Sequence, residues 1–116
     1  LLQVDQDLVN MLKEKNFFVA IETNGSINSK INFDWTCVSP KDPKSWLLKK
    51  GDELKIIYPQ NIFNLKELLY LDFKHFFLQP KYDSFSRLNF NKTIEYCKLH
   101  RQWFPSFQLH KTMGIM

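Results

Sequence analysis

The segment Phe33-Asp34-Trp35-Thr36-Cys37-Val38-Ser39-Pro40-Lys41 decides the fold. It opens with bulky and β-branched residues that suit a buried strand. It breaks at Pro40, which has no amide hydrogen to give to a central ladder. Ser39 and Lys41 are thereby left where the backbone leaves the sheet. In open α/β sheets and in barrels, that carboxyl edge is where ligands bind. Taken alone, the stretch reads more readily as a strand running into a solvated loop. Three other strands that end in a similar way turn the reading toward a site.

Upstream, Val4, Leu8, Met11 and Leu12 fall at helical spacing, and the residues around them predict a helix that gives out at Asn16. Asp5 and Asp7 in its first turn and Lys13 and Lys15 in its last suit the helix dipole. Phe17–Ile21 is a continuous apolar run, expected to be a strand covered on both faces. It ends in Glu22-Thr23-Asn24-Gly25, where the Asn-Gly pair marks a turn. Downstream, Lys41–Gly51 reads as a loop with a helical turn around Trp46–Leu48. Glu53–Tyr58 is a strand stopped by Pro59, with no evident chemistry at its end. Asn61 is the expected N-cap of a helix through Tyr70, with Ile62, Leu65 and Leu69 inward. His75–Leu78 is a strand closed by Gln79-Pro80. A helix from about Arg87 to Lys98 presents Phe90, Ile94 and Cys97. A last strand over Trp103–Leu109, edged by Pro105, leads into His110-Lys111. The order α-β-β-β-α-β-α-β predicts an α/β fold, one domain over residues 1–116, with a mainly parallel sheet and crossover helices.

Composition excludes several classes. The 116 residues are 44 % apolar and 16 % aromatic, so the chain has the means for a core and is not disordered. Sixteen basic against 12 acidic residues leave +4, with lysines gathered at Lys41, Lys44, Lys49 and Lys50. That cluster raises a nucleic-acid module as one reading, but the aromatics read as core positions rather than a stacking surface. No apolar run is long enough to span a membrane, and no basic-then-apolar leader is visible, which favours the cytoplasm. Leu1-Leu2-Gln3 has neither capping nor signal character and reads as a cut edge. Cys37 and Cys97 lie in no metal-ligand spacing and read as small buried hydrophobes.

A parallel sheet would line up Glu22–Asn24, Ser39–Lys41, Gln79–Pro80 and His110–Lys111 along one rim. The carboxylate and amides suit hydroxyls and amines, such as a ribose or an amino-acid head, and the lysines suit carboxylates. No hydrolytic triad is recognisable. With three glycines in the chain there is no phosphate loop. His75, His100 and His110 lack metal-ligand spacing. The rim reads as a binding half without its reactive part.

Five stretches carry a resemblance. Glu22-Thr23-Asn24-Gly25, Asp34-Trp35-Thr36-Cys37-Val38-Ser39-Pro40-Lys41, Phe77-Leu78-Gln79-Pro80, Ile94-Glu95-Tyr96-Cys97 and Gln108-Leu109-His110-Lys111-Thr112-Met113-Gly114-Ile115 stand in this order. In order and spacing the chain resembles the C-terminal half of the 7-carboxy-7-deazaguanine synthases, radical S-adenosylmethionine enzymes of the queuosine and 7-deazapurine pathway. The resemblance implies part of a (β/α) barrel and a lyase that ring-contracts 6-carboxy-5,6,7,8-tetrahydropterin with loss of ammonia. It implies S-adenosylmethionine, a [4Fe-4S] cluster and magnesium as cofactors, which carry the hard chemistry while the protein positions them. By position, Glu22, Asn24, Ser39, Pro40, Lys41, Gln79, Pro80, Lys81 and Tyr82 match segments that contact S-adenosylmethionine. His110 and the carboxylate of Met116, six residues on, match substrate contacts. The partners implied are the pterin substrate and a cluster-bearing N-terminal half, with a second copy of the chain left open and no direct contact with nucleic acid or membrane.

The departures carry information too. The CxxxCxxC cluster motif and its adjacent magnesium-binding hydroxyl are absent from these residues. Without three thiolates no site-differentiated cluster forms, so this stretch alone is expected to be inactive. Phe104 and Pro105 stand where the family has Arg and Leu, which brings the local strand geometry into question. Lys81 replaces the more usual Met. A non-catalytic binding or interaction remnant of the fold is the competing reading.

Overall fold

Connections long enough to cross back over the sheet let each strand run in the same direction as the last, and the observed sheet is parallel throughout. The structure is a computed structural model that describes residues 6–26 and 31–107. In chain order it has α1 (Gln6–Glu14), β1 (Ala20–Thr23), β2 (Trp35–Val38), a 3-10 turn (Pro43–Ser45), β3 (Lys50–Tyr58), α2 (Leu65–Leu68), β4 (Asp72–Pro80), α3 (Ser86–Leu99) and β5 (Phe104–Pro105). The strands lie in the order β1-β2-β3-β4-β5. The predicted α/β class, parallel sheet and element order are all observed.

Register sets what each face carries. Val38 pairs with Leu54, Leu54 with Phe76 and Ile56 with Leu78, so these apolar residues share one face. Leu65 and Leu68 of α2, Cys97 and Tyr96 of α3, and Trp46, Leu48 and Trp103 from the loops close over them. Fully burying one such Leu or Ile contributes about 1.5–3 kcal/mol. Alternation places Glu22, Trp35, Cys37, Glu53, Lys55, Ile57, His75, Phe77, Gln79 and Phe104 on the opposite face, which is the more open one. Ile57 and Phe104 are exposed there.

Local detail departs from expectation in four places. Phe17 and Phe18 are exposed and the strand begins only at Ala20. Position explains this, because β1 is the sheet's edge and is not covered on both sides. Val9, not the Leu8–Met11 stripe, is the buried residue of α1. The helix does end as read: Asn16 takes φ 66, while Phe17 N–H donates to Leu12 O and Asn16 N–H to Lys13 O, a Schellman closure. Asn64, not Asn61, caps α2, since Gln60 Oε1 accepts from Ile62 and Phe63 N–H and holds that stretch in a turn. Ile62 is accordingly exposed while Leu65 and Leu68 are buried. On α3 the buried positions are Asn89, Thr93 and Cys97. The two polar ones are satisfied internally: the Asn89 amide donates to Lys81 O and Asp83 Oδ1, and Thr93 Oγ1 donates to Asn89 O.

Pro105 does not disrupt β5. The N–H of Ser106 donates to Leu78 O, and alternate residues of an edge strand point their N–H groups away from the sheet, so the proline falls where no ladder bond is due. The strand over Trp103–Leu109 shortens to Phe104–Pro105, and its far end lies outside the described residues. Among the described residues, no helix is long and apolar enough to cross a membrane.

Candidate functional site

Two strand ends meet where β1 and β2 stop. Thr23 pairs with Val38, and Ser39 N–H continues the ladder to Thr23 O at 2.7 Å. The turn after β1 is built from its own polar residues. Gly25 N–H donates to Thr23 Oγ1 and Ser26 N–H to Asn24 Oδ1, so the Asn24 carbonyl is committed to the turn. Gly25 O then accepts from Leu47 and Leu48 N–H, tying the Lys41–Lys50 loop to the end of β1. Pro40 is buried and Lys41 is exposed beside it. Lys49 is drawn off by the Trp46 ring, its Nζ 3.8 Å from the centroid.

The carboxyl rim is stepped rather than level. β3 and β4 run on to the paired Tyr58 and Pro80, four residues beyond the Val38–Leu54 row. Gln79, paired with Ile57, stands two strands from Ser39, about 10 Å sideways at ordinary strand spacing. Lys81 N–H donates to Tyr58 O and its ammonium reaches Asp83 at 4.0 Å; Tyr82 is exposed. Glu22, Ser39 by alternation, and Gln79 therefore face one open surface at the carboxyl edge. His110, Lys111 and Met116 lie outside the described residues.

A residue that the strand pattern left unremarked joins them. Lys55 on β3 reaches over β2, and its Nζ lies 3.0 Å from Glu22 Oε1. The alternation of Glu53 and Lys55 with buried Leu54 and Ile56 was the available signal: two charges on one face of a strand whose other face is core.

Nearer the middle of that open face, Glu53 accepts from Trp35 Nε1 at 3.3 Å and from Cys37 Sγ at 3.2 Å. Trp35 in turn stacks on His75 with centroids 5.6 Å apart. Burial, and then the Glu53 carboxylate, push the Cys37 thiol up to about 12. The expected consequence is a protonated, inert thiol. At pH 8 its alkylation should run about a thousandfold more slowly than that of an ordinary thiol, by thiolate fraction alone; mass-spectrometric timing of iodoacetamide labelling checks this. A thiol raised from 9.0 to about 12 stabilises the fold fully below pH 9, and that contribution is lost as pH climbs from 9 toward 12. Cys97 and Tyr96, also raised by burial, act with the same sign. Thermal unfolding between pH 8 and 11 should show the decline, and Cys37→Ala should flatten it.

The donor set fits an adenosyl ligand. Glu22 offers acceptors for hydroxyls, Ser39 and Gln79 offer paired donor–acceptor groups, Lys41 offers a cation, and Ile57 and Phe77 add apolar surface beside them. A [4Fe-4S] cluster does not fit these residues. The sequence has two cysteines, both buried, one on each face of the sheet. Among the described residues, no three His, Cys, Asp or Glu side chains are grouped to hold a metal ion.

Comparison with known proteins comes to the same family as the motifs. No family model matches the chain. The 7-carboxy-7-deazaguanine synthase of Burkholderia multivorans is 43 % identical over 99 % of this chain and 55 % of its own length. The synthases of Bradyrhizobium diazoefficiens and Caulobacter vibrioides are 41 % and 37 % identical over 99 % and 98 % of it. The chain spans about half the length of these curated relatives. The resemblance read from the five motifs is thus borne out across essentially all of the chain, which is a homologue of the 7-carboxy-7-deazaguanine synthases and corresponds to the C-terminal half of one.

Proposed function

We propose that this chain supplies the adenosyl- and substrate-binding side of a 7-carboxy-7-deazaguanine synthase acting in the cytoplasm. It does so as a single unit over residues 1–116, the C-terminal half of a radical S-adenosylmethionine core. The observation that carries this reading is the convergence of Glu22, Ser39 and Gln79 on one open face at the carboxyl edge, in a chain 43 % identical to such a synthase. S-adenosylmethionine would supply the radical chemistry together with a [4Fe-4S] cluster and magnesium that residues outside this stretch would have to hold.

The chain's own residues bind and orient. Glu22 accepts from ribose hydroxyls, and Ser39 and Gln79 fix the nucleoside from either side of β3. Lys41 meets a carboxylate, and Pro40 and Pro80 end their strands so that these groups stand clear of the ladder. Asn24, its Oδ1 spent on Ser26 N–H, contributes by shaping the turn and through its amide nitrogen. Lys81 and Tyr82 border the nucleoside, while His110 and Met116 contact the pterin. The cluster ligands and the magnesium-binding hydroxyl come from a cluster-bearing N-terminal half, so these residues alone are inactive. A homodimer is compatible with this arrangement, which involves neither nucleic acid nor membrane.

The test is turnover by the intact protein. After anaerobic loading with iron and sulfide, it should convert 6-carboxy-5,6,7,8-tetrahydropterin to 7-carboxy-7-deazaguanine in the presence of S-adenosylmethionine and magnesium, followed by mass spectrometry. Ser39→Ala should raise the KM for S-adenosylmethionine about tenfold, the value of one lost hydrogen bond of about 1.4 kcal/mol. A loaded protein that binds S-adenosylmethionine but makes no product would establish the non-catalytic remnant instead.

A further inference from the structure

Lysine is rarely taken out of solvent without a partner, and Lys55, half-buried on this sheet, has one in Glu22. The Lys55 side chain is 14 % exposed, whereas the Glu22 side chain it meets is 57 % exposed. That asymmetry is informative. The cation lies on the open face of β3, between β2 and β4, and is the covered half of the pair. The carboxylate, on the edge strand, is the half of the pair that faces solvent. An ion pair with so exposed a member adds roughly 0–1 kcal/mol to stability, too little to account for ordering a lysine across a neighbouring strand. What such a contact does provide is a carboxylate held in one place before a ligand arrives.

The surroundings agree. Register places Lys55 level with Phe77 on one side and with Ser39 on the other. Glu22 lies level with Cys37, one pleat below Ser39. The ammonium therefore arrives beside the Ser39 position, at the point where β1 and β2 end. Its interaction with Glu22 engages one oxygen, and a carboxylate has about four acceptor sites, leaving capacity for the hydroxyls of a ribose. The other carboxylate of this face, Glu53, is already occupied by Trp35 and Cys37.

We propose that Lys55 is a positioning residue for adenosyl-ligand binding: it acts through Glu22, fixing that carboxylate over the carboxyl end of β2. The proposal rests on the reading of Glu22 as a ligand contact given above. In the intact protein, titration calorimetry with S-adenosylhomocysteine compares the wild type with Glu22→Gln, Lys55→Met, the double variant and Lys55→Arg. Glu22→Gln and Lys55→Met should each weaken binding about tenfold, the usual value of one charge-assisted contact. The double variant should be no weaker than either single one, because both remove the same interaction. Lys55→Arg, which keeps the cation, should come back to within about threefold of wild type. In turnover, Lys55→Met should raise the KM for S-adenosylmethionine while kcat stays within about twofold, a split that general loss of folding would not produce. Should Lys55→Met fail to fold, Lys55→Gln, with a polar head and no charge, takes its place in the cycle.

The outcomes separate the two claims. Unchanged affinity in Glu22→Gln removes Glu22 as a ligand contact, and the Lys55 proposal falls with it. Weakened Glu22→Gln with unchanged Lys55→Met keeps Glu22 and overturns Lys55. Additive losses in the double variant also overturn it, since Lys55 would then touch the ligand on its own account.

Discussion

Gly25→Ala is expected to destabilise the fold by about 3–4 kcal/mol and to weaken adenosyl-ligand binding with it. Two costs combine. Gly25 has φ +76, a left-handed conformation that costs an L-residue about 1–2 kcal/mol. A Cβ there would stand 2.7 Å from Trp46 Cδ1 and 3.0 Å from Val38 Cγ1, and overpacking of this kind costs about 1–3 kcal/mol. Neither neighbour gives way easily. Val38 is fully buried. Trp46 is held by its indole N–H to Leu48 O and by an edge contact with Phe63. Gly25 O is also the acceptor that ties Leu47 and Leu48 to the end of β1. A shift there moves the Lys41 loop relative to Glu22, which is how a stability change becomes a binding change. Urea unfolding and S-adenosylhomocysteine titration measure the two effects. Gly25→Asn separates them, because Asn tolerates the left-handed region but still carries a Cβ. It should recover about 1 kcal/mol and no more; full recovery would show that the Trp46 contact yields freely.

Trp103→Ala should cost about 3–5 kcal/mol, the range for emptying a buried aromatic site. Trp103 is the largest fully buried side chain among the described residues. It is set edge-on to Phe76 with centroids 5.4 Å apart. It joins the end of α3, through its N–H to His100 O, to the start of β5. Its indole nitrogen, however, has no hydrogen-bond partner. An unmet buried donor costs about 1–3 kcal/mol, which the native residue already carries. Trp103→Phe removes that donor while keeping an aromatic ring against Phe76. Its cost should therefore stay below half that of Trp103→Ala in the same urea experiment. Equal losses in the two variants would mean that the N–H contributes favourably.

The prolines show why so much of the topology was legible. Pro40, Pro59 and Pro80 each end a strand. A missing amide hydrogen is a local fact that no tertiary context restores. The apolar runs between them, broken by helical spacing, were enough for the element order and for a parallel sheet. Residues whose environment depends on a distant partner were harder to place. Phe17 and Phe18 form part of an apolar run as convincing as any in the chain, yet they precede an edge strand and stand in solvent. Asn89 and Thr93 look like surface residues of α3, yet they are buried because Lys81 O, Asp83 and Asn89 O lie within reach of their polar atoms. Ile62 was misplaced because one turn's hydrogen bonding decides where a short helix starts and which face it turns inward.

The candidate site divides in the same way. Glu22, Ser39, Lys41 and Gln79 were found from sequence because each sits next to a turn or a proline, and strand ends are written in residues adjacent along the chain. Lys55 was not, because it lies inside a strand, and its role comes from a carboxylate two strands and 33 positions away. Sequence alone determined the class of fold, the order of its elements and the resemblance to the 7-carboxy-7-deazaguanine synthases. Alternation also divides each strand into two faces. It carries no information about which face a helix will cover or which side chains will meet across the sheet. Register and packing decided that, because they depend on contacts between residues far apart in the chain.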